Sequence, residues 1–502
     1  MLTERLHGSI TNHFANWALV PCDPSASGVS KSNFCKKLWA TFLFAAAATS
    51  TLAQTKFTSL VSFDGTNGAN PHYVYLVQGT DGNLFGTTYV STGSGGTVFK
   101  VTPKGVLNTI YTFCPGGEPC SDGAQPEAGL VLATDGDFYG TATNGGANSV
   151  GTVFRITSAG KLTAVHSFDS TDGASPEVGL IQAGNGELFG TTSSGGSGDV
   201  GTIFDITTAG KLTSLVNFIG TNGDYPDGKL VQGSDGNFYG TTEEGTSDSG
   251  TVFKMTLLGK LTTLHKFTGS DGAGPTSALV QARNGNFYGT TQAGGTHSDG
   301  TVFEITPAGK LTTLYNFCSK SDCADGANPS AGLIQATDGN LYGTTFSGGS
   351  NETSCNAGCG TIFRITTAGK LTTLYNFCSK SGCVDGSQPQ EGLVQHTNGT
   401  LYGLTYYGGT DGLGTVYSLS EGLGAFIETV PTSATVGAKV TILGTSLEGA
   451  TSVTFDGTAA TFKVISQSEI TTTVPTGAET GTVQVTTSAG TLSSNVAFVV
   501  KD

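Results

Sequence analysis

The stretch DGNLYGTTFSGG, Asp338 to Gly349, decides how this chain is read. An Asp-Gly pair is a preferred two-residue hairpin turn, because both residues tolerate the positive φ that such a turn needs. A Leu-Tyr-Gly-Thr-Thr run follows, short enough for one strand, and Gly348-Gly349 then opens a loop. Close variants of the phrase occur six more times. Its aromatic-Gly pair falls at Phe85-Gly86, Tyr139-Gly140, Phe189-Gly190, Tyr239-Gly240, Tyr288-Gly289, Tyr342-Gly343 and Tyr402-Gly403, in steps of 54, 50, 50, 49, 54 and 60 residues. A period near 50 marks a solenoid or a propeller.

Each period holds four strand-like segments, as in GLIQA (Gly332 to Ala336), LYGTT (Leu341 to Thr345), TIFRIT (Thr361 to Thr366) and KLTTLYNF (Lys370 to Phe377). The first two are joined by Asp-Gly or Asn-Gly and the last two by a tight Ala-Gly-Lys, which makes an antiparallel meander, the unit of a propeller blade. No segment carries the 3.6-residue apolar period of a helix. The ends are complementary: FTSLVSF (Phe57 to Phe63) matches a fourth strand, and the last repeat stops at its third, TVYS (Thr415 to Ser418). The expectation is an all-β chain whose residues 54–421 form a seven-bladed β-propeller, closed by pairing its N- and C-terminal strands so that no edge is left open.

The recurring YGTT, GTVF (Gly250 to Phe253, Gly300 to Phe303) and AGKLTTLYNF (Ala308 to Phe317, Ala368 to Phe377) resemble the GloVer tandem repeats of bacterial surface and secreted proteins, over about residues 57–420. The resemblance implies an exported protein whose biochemical activity is undefined. From 422 to 502 the repeat gives way to alternating segments, among them Val440 to Gly444, Ala450 to Gly457, Ile470 to Pro475, Gly481 to Thr487 and Ser494 to Val499, spaced as in a β-sandwich. This part resembles an IPT/TIG immunoglobulin-like domain, a spacer or adhesion unit in bacterial surface proteins. Some relatives of that domain bind DNA, but this copy has only Lys439 and Lys463 before Lys501.

Residues 1–53 read as a leader. Lys36 and Lys37 precede an apolar run, Leu38 to Ala48, and Thr51-Leu52-Ala53 offers a small-residue cleavage site, so a signal peptide of about 29–53 is expected behind a doubtful extension, 1–28. Translation is expected to start at Val29. The apolar run is about half of the ~20 residues that span a bilayer, so no membrane insertion is expected after cleavage. A formal charge of −15 also repels nucleic-acid phosphates and anionic lipid. Eight cysteines beyond the leader fall in close pairs without a neighbouring His: Cys114 with Cys120, Cys318 with Cys323, Cys355 with Cys359, and Cys378 with Cys383. Local disulfides in an oxidising, extracellular or cell-surface compartment account for them.

Catalytic signatures are missing: there is no HExxH, no GxSxG and no Walker loop. Acids at Asp64, Asp122, Asp172, Asp271, Asp325 and Asp385 precede Gly between repeats, where Asx turns explain them better than a ring of calcium sites. No other cofactor is implied. Gln78, Gln182, Gln232, Gln281, Gln335 and Gln395 recur on the first strand and read as structural polar packing. In a meander the tight turns share one face, and the variable loops, with every cysteine beyond the leader, collect on the other. Repeat proteins usually bind with such loops. Three residues after the repeated glycine the copies read Tyr89, Thr143, Ser193, Glu243, Gln292, Phe346 and Tyr406, and the aromatics belong to repeats that neighbour one another only in a closed ring. With His72 and Tyr73 in the adjoining loop, Tyr89, Phe346 and Tyr406 form the candidate ligand site, suited to the apolar face of a glycan or to a surface protein. The expected function is a secreted or surface-bound, non-catalytic binding platform. Two alternatives stand beside it: a polysaccharide-active hydrolase or lyase on a propeller scaffold, and a purely structural surface element.

Overall fold

The computed structural model describes residues 55–501 apart from 118, 246–248, 352–354, 356 and 391. The leader expected over 1–53, with its cleavage site, lies outside the described residues. These are all-β except for two three-residue 3-10 turns, Ser321–Cys323 and Ser381–Cys383. Between 56 and 420 they form seven four-stranded antiparallel sheets in a propeller-like arrangement, six of them meanders in chain order. In the sixth repeat the strands are Ile334–Gln335, Leu341–Thr345, Thr361–Ile365 and Leu371–Asn376. The last sheet combines Val394–Gln395, Leu401–Thr405 and Thr415–Ser420 with Lys56–Ser62, which pairs antiparallel with Thr415–Ser420.

The repeated phrase can be explained residue by residue. Tyr342 is fully buried, and its hydroxyl donates to Asp338 of the turn at 2.9 Å. Next to it a Cβ on Gly343 would stand 2.7 Å from Leu333 Cδ2 and 2.8 Å from Phe363 Cζ, so only glycine lets that ring lie over the strand. The first Thr reaches into the next repeat, as Thr87 Oγ1 does in donating to Ala128 O at 2.8 Å and Thr290 Oγ1 to Ala331 O at 2.9 Å. The second pairs within its own sheet: the Thr345 and Thr361 hydroxyls lie 2.9 Å apart, beneath Gly326, whose φ is +101°. Where both threonines are present, one pairs within its own sheet while the other lends its hydroxyl to the neighbour.

The recurring glutamines do the same from the first strand. Gln335 Oε1 accepts the Arg283 amide of the preceding repeat at 2.9 Å, and its Nε2 donates to Gly339 O at 2.9 Å. The second repeat has Leu132 here, packed into an apolar cluster with Phe138 and Phe154. Gln78 closes the same clamp on Thr397 of the seventh repeat.

Beyond 422 two four-stranded sheets enclose one apolar core that includes Ile442, Val453, Phe455, Ile470, Val485 and Phe498. One sheet orders Glu428–Val430, Lys439–Leu443, Glu469–Thr473 and Phe462–Ser466; the other orders Thr458–Ala460, Ser452–Phe455, Val483–Thr487 and Gly490–Ser493. A parallel pair, Ser433–Thr435 with Val499–Lys501, completes the segment. The strand expected over Ser494 to Val499 is mostly two bridged positions, Ser494 with Ile427 and Phe498 with Gly481, and the regular strand begins at Val499.

Candidate functional site

The repeated Pro between sheets builds the site. The residue before it has left-handed backbone in all seven copies, with φ of 49° at Asn70, 57° at Gln125, 52° at Ser175, 53° at Tyr225, 61° at Gly274 and 52° at Asn328 and Gln388. That turn exposes a carbonyl, which accepts the amide of the residue just after Gly-Thr-Thr: Tyr89 donates to Asn70 O at 3.3 Å, Glu243 to Tyr225 O at 2.9 Å, Phe346 to Asn328 O at 3.0 Å and Tyr406 to Gln388 O at 3.3 Å. Two sequence positions are thereby brought side by side in each repeat, the one after Pro and the one after Gly-Thr-Thr.

Four of the five expected ligand residues meet. The His72 ring lies 4.3 Å from Tyr73, 5.7 Å from Tyr89 and 5.3 Å from Tyr406, centroid to centroid. All four are half-buried. Phe346 is half-buried as well, and among the described residues it has no ring contact with this group.

Opposite the aromatics stands an acidic set that the sequence reading missed. Glu127, Glu177 and Asp227 follow Pro in the second, third and fourth repeats, and Glu243 follows Gly-Thr-Thr in the fourth. Thr143 Oγ1 donates to Glu127 at 3.2 Å and Ser193 Oγ to Glu177 at 2.9 Å, while Glu243 stands near enough to Asp227 for its charge to act on it. Burial, then repulsion from Glu177 and Glu243, pushes the Asp227 carboxyl well above its ordinary value, and burial with the Glu127 charge raises Glu177. Tyr73 is pushed up by burial and by the charges of Asp227, Glu243, Glu177 and Glu127, so its hydroxyl sits where the aromatic and acidic sets join. His72 Nδ1 is 3.6 Å from Glu127 Oε1 on the same boundary.

Beneath them the position before the repeated Leu is Gly or Ala in five copies, Gly129, Gly179, Ala278, Gly332 and Gly392, and large only at Tyr75 and Lys229. Tyr75 accounts for two of the glycines. A Cβ on Gly392 would stand 2.1 Å from Tyr75 Cε1, and the Gly332 amide donates to the Tyr75 hydroxyl at 3.0 Å. Lys229 is held low, to about 8, because enclosure penalises its ammonium more than Glu428 compensates.

The repeated Asp-Gly acids serve their own loops. Asp325 accepts the Tyr315 hydroxyl at 2.6 Å and the Ser319 amide at 3.0 Å, and Asp172 meets His166 Nε2 at 2.8 Å. In the first repeat the equivalent place belongs to Asn67-Gly68 and not to Asp64-Gly65: Gly68, like Gly173, packs on the paired threonines, and Asp64 caps a separate turn through the Thr66 and Asn67 amides. The four expected cysteine pairs are disulfides, bonds that an oxidising compartment maintains. Among the described residues no helix is long and apolar enough to cross a membrane.

The Gloeobacter/Verrucomicrobia repeat model matches residues 118–284, 177–354 and 243–464, overlapping segments that together cover more than half of the chain. The chain belongs to this repeat family. No curated protein matches it. Among solved structures this Gloeobacter/Verrucomicrobia repeat protein is similar to a periplasmic gluconolactonase of Pseudomonas aeruginosa, at 17% identity and a TM-score of 0.43 over 68% of this chain and 96% of that one. It is also similar to a putative 6-phosphogluconolactonase of Bacteroides fragilis NCTC 9343, at 20% and 0.42 over 67% and 94%, and to another of Bacteroides uniformis ATCC 8492, at 18% and 0.41 over 62% and 84%. The signal that could have found the acids lies in the family repeat itself: the position after Pro changes chemistry from copy to copy while Pro and the Leu that follows persist.

Proposed function

We propose that this protein is an exported, non-catalytic binding platform that recognises a glycan at the centre of the loop face. In this reading the seven sheets close into a seven-bladed propeller over 54–421, and 422–502 is an IPT/TIG immunoglobulin-like module for spacing or attachment. Closure is supported by the pairing of Lys56–Ser62 with Thr415–Ser420 and by the Gln78 clamp on Thr397. The observation that carries the function is the gathering of Tyr73, Tyr89 and Tyr406 around His72, with carboxylates at their edge. Aromatic faces stack on the C–H faces of sugars at small entropic cost, and carboxylates accept hydroxyl hydrogen bonds beside them. A glycan array on the mature protein tests it; silence on every glycan, with the fold intact, removes the reading.

One observation favours the polysaccharide-active alternative. The Asp227 carboxyl, raised well above its ordinary value by burial and by the charges of Glu177 and Glu243, has the environment of a general acid with neighbouring carboxylates. Release of reducing ends or unsaturated products from any glycan bound would promote that reading over simple binding.

A further inference from the structure

We propose that the small cavity below the loop-face acids is a divalent-cation site, suited to calcium, with Asp227 as its principal ligand and the hydroxyls of Thr276 and Ser330 as neutral donors. This is a different place from the repeated Asp-Gly loops, whose carboxylates are spent on their own amides and on strand side chains. It does not depend on the ligand of the aromatic group.

The cavity is lined by Asp227, Thr276, Ser330 and Gln390, which follow Pro in four successive repeats, together with Tyr73 and Tyr75. Its volume is about 20 Å³, room for one water-sized particle and too small for a sugar. The lining is rich in oxygen donors that lack partners. Ser330 is 3% exposed and Thr276 8% exposed, and the side-chain oxygens of both are buried without a hydrogen bond. Asp227 Oδ1 is in the same condition. Native proteins seldom leave buried hydroxyls and carboxyl oxygens unmatched, and several round one small cavity call for an occupant that all of them can face. An all-oxygen set of a carboxylate, hydroxyls and an amide carbonyl suits a hard cation such as calcium rather than a soft one.

Charge supports the same occupant. Glu127, Glu177 and Glu243 all act on Asp227, and His72 is the basic group that acts on Glu177. Lys229 also lines the cavity, but the one charge that acts on its ammonium is Glu428, and none of the loop-face acids does. A bound dication would turn the mutual repulsion of the acids into attraction.

The test uses the mature full-length protein after chelation and dialysis. Calcium is titrated by calorimetry, and terbium is followed by emission sensitised through the neighbouring tyrosines, with Asp227→Asn and Glu177→Gln as variants. Expected are a single site, terbium displaced by calcium, and affinity weakened about tenfold or more in Asp227→Asn, with circular dichroism unchanged. Should Asp227→Asn fail to fold, the weakening is read from Glu177→Gln. Absence of binding by calcium, magnesium and manganese at millimolar concentration, or affinity equal to wild type in both variants, overturns the site.

Discussion

Gln78 Oε1 accepts the Thr397 amide at 2.9 Å, and Gln78 Nε2 donates to Thr397 Oγ1 at 3.0 Å, across 319 residues of sequence. Gln395 grips Thr337 of the preceding repeat in the same way, at 3.0 Å and 3.0 Å. The first repeat therefore holds the seventh as the seventh holds the sixth. Each clamp satisfies a buried backbone amide, so removing one leaves that group unpaired at a cost of about 1–3 kcal/mol. Gln78→Ala and Gln395→Ala should destabilise the protein by similar amounts in urea unfolding. A silent Gln78→Ala beside a costly Gln395→Ala would mean that the ring is open.

The N-terminal strand gives a second test of the proposed closure. Deleting residues 54–64 removes the partner of Thr415–Ser420 and the Phe63 ring that packs 5.4 Å from Phe99 of the first repeat. The exposed edge and the lost core residue should together lower the melting temperature and raise aggregation. An unchanged melting temperature would argue for an open array.

Much of the meander could be read from the sequence because each connection is local: Asp-Gly and Ala-Gly-Lys specify tight turns without help from tertiary packing. Where distant residues decide, the reading failed. The first strand, expected over Gly332 to Ala336, is only Ile334–Gln335, as it is two residues long in every one of the seven sheets, and Gly332 gives its amide to Tyr75, 257 residues away. The aromatic group around His72 was legible from two places, the position three residues after the repeated glycine, which gives Tyr89 and Tyr406, and the adjoining loop, which gives His72 and Tyr73. The acids were not, because Glu127, Glu177 and Asp227 come from the inter-repeat loop and reach the site only through the left-handed turn before Pro, which no sequence spacing announces.

Redox state is directly measurable. Non-reducing mass analysis of the mature protein should show a loss of about eight hydrogens relative to the reduced chain. The sulfurs of Cys355, Cys359, Cys378 and Cys383 all lie within 4.8 Å of one another, so a reduced chain could gather them round zinc instead. Retained zinc with free thiols in the secreted protein would overturn the disulfide assignment.

Contributions to ligand binding should divide along the ring contacts. Tyr89→Ala and Tyr406→Ala each remove a ring near His72 and should weaken a glycan hit by about 2 kcal/mol, roughly thirtyfold. Phe346→Ala, outside that group, should change affinity little. A large loss in Phe346→Ala with none in Tyr89→Ala would move the site to the sixth repeat.

The acids make stability depend on pH in a sense opposite to the usual surface carboxylate. Asp227 is raised well above its ordinary 3.8 and Glu177 above 4.5, in each case by burial first and neighbouring charge second. Over the window from those ordinary values up to the raised ones, the folded chain keeps protons that the unfolded chain has released. Stability must therefore fall as pH rises through that window, and below it the penalty is absent. Asp64, Asp81, Asp235 and Asp271 are lowered instead, and they withdraw their support only as pH falls below the ordinary carboxylate range. In chelator, the melting temperature should peak in mild acid and decline toward neutrality. Asp227→Asn keeps the shape of the side chain without its ionisation, so it should flatten the neutral-side decline and raise the melting temperature at pH 7 while leaving the acid limb in place. A variant whose melting temperature falls in parallel with wild type between mild acid and neutrality would show that Asp227 is not the group responsible.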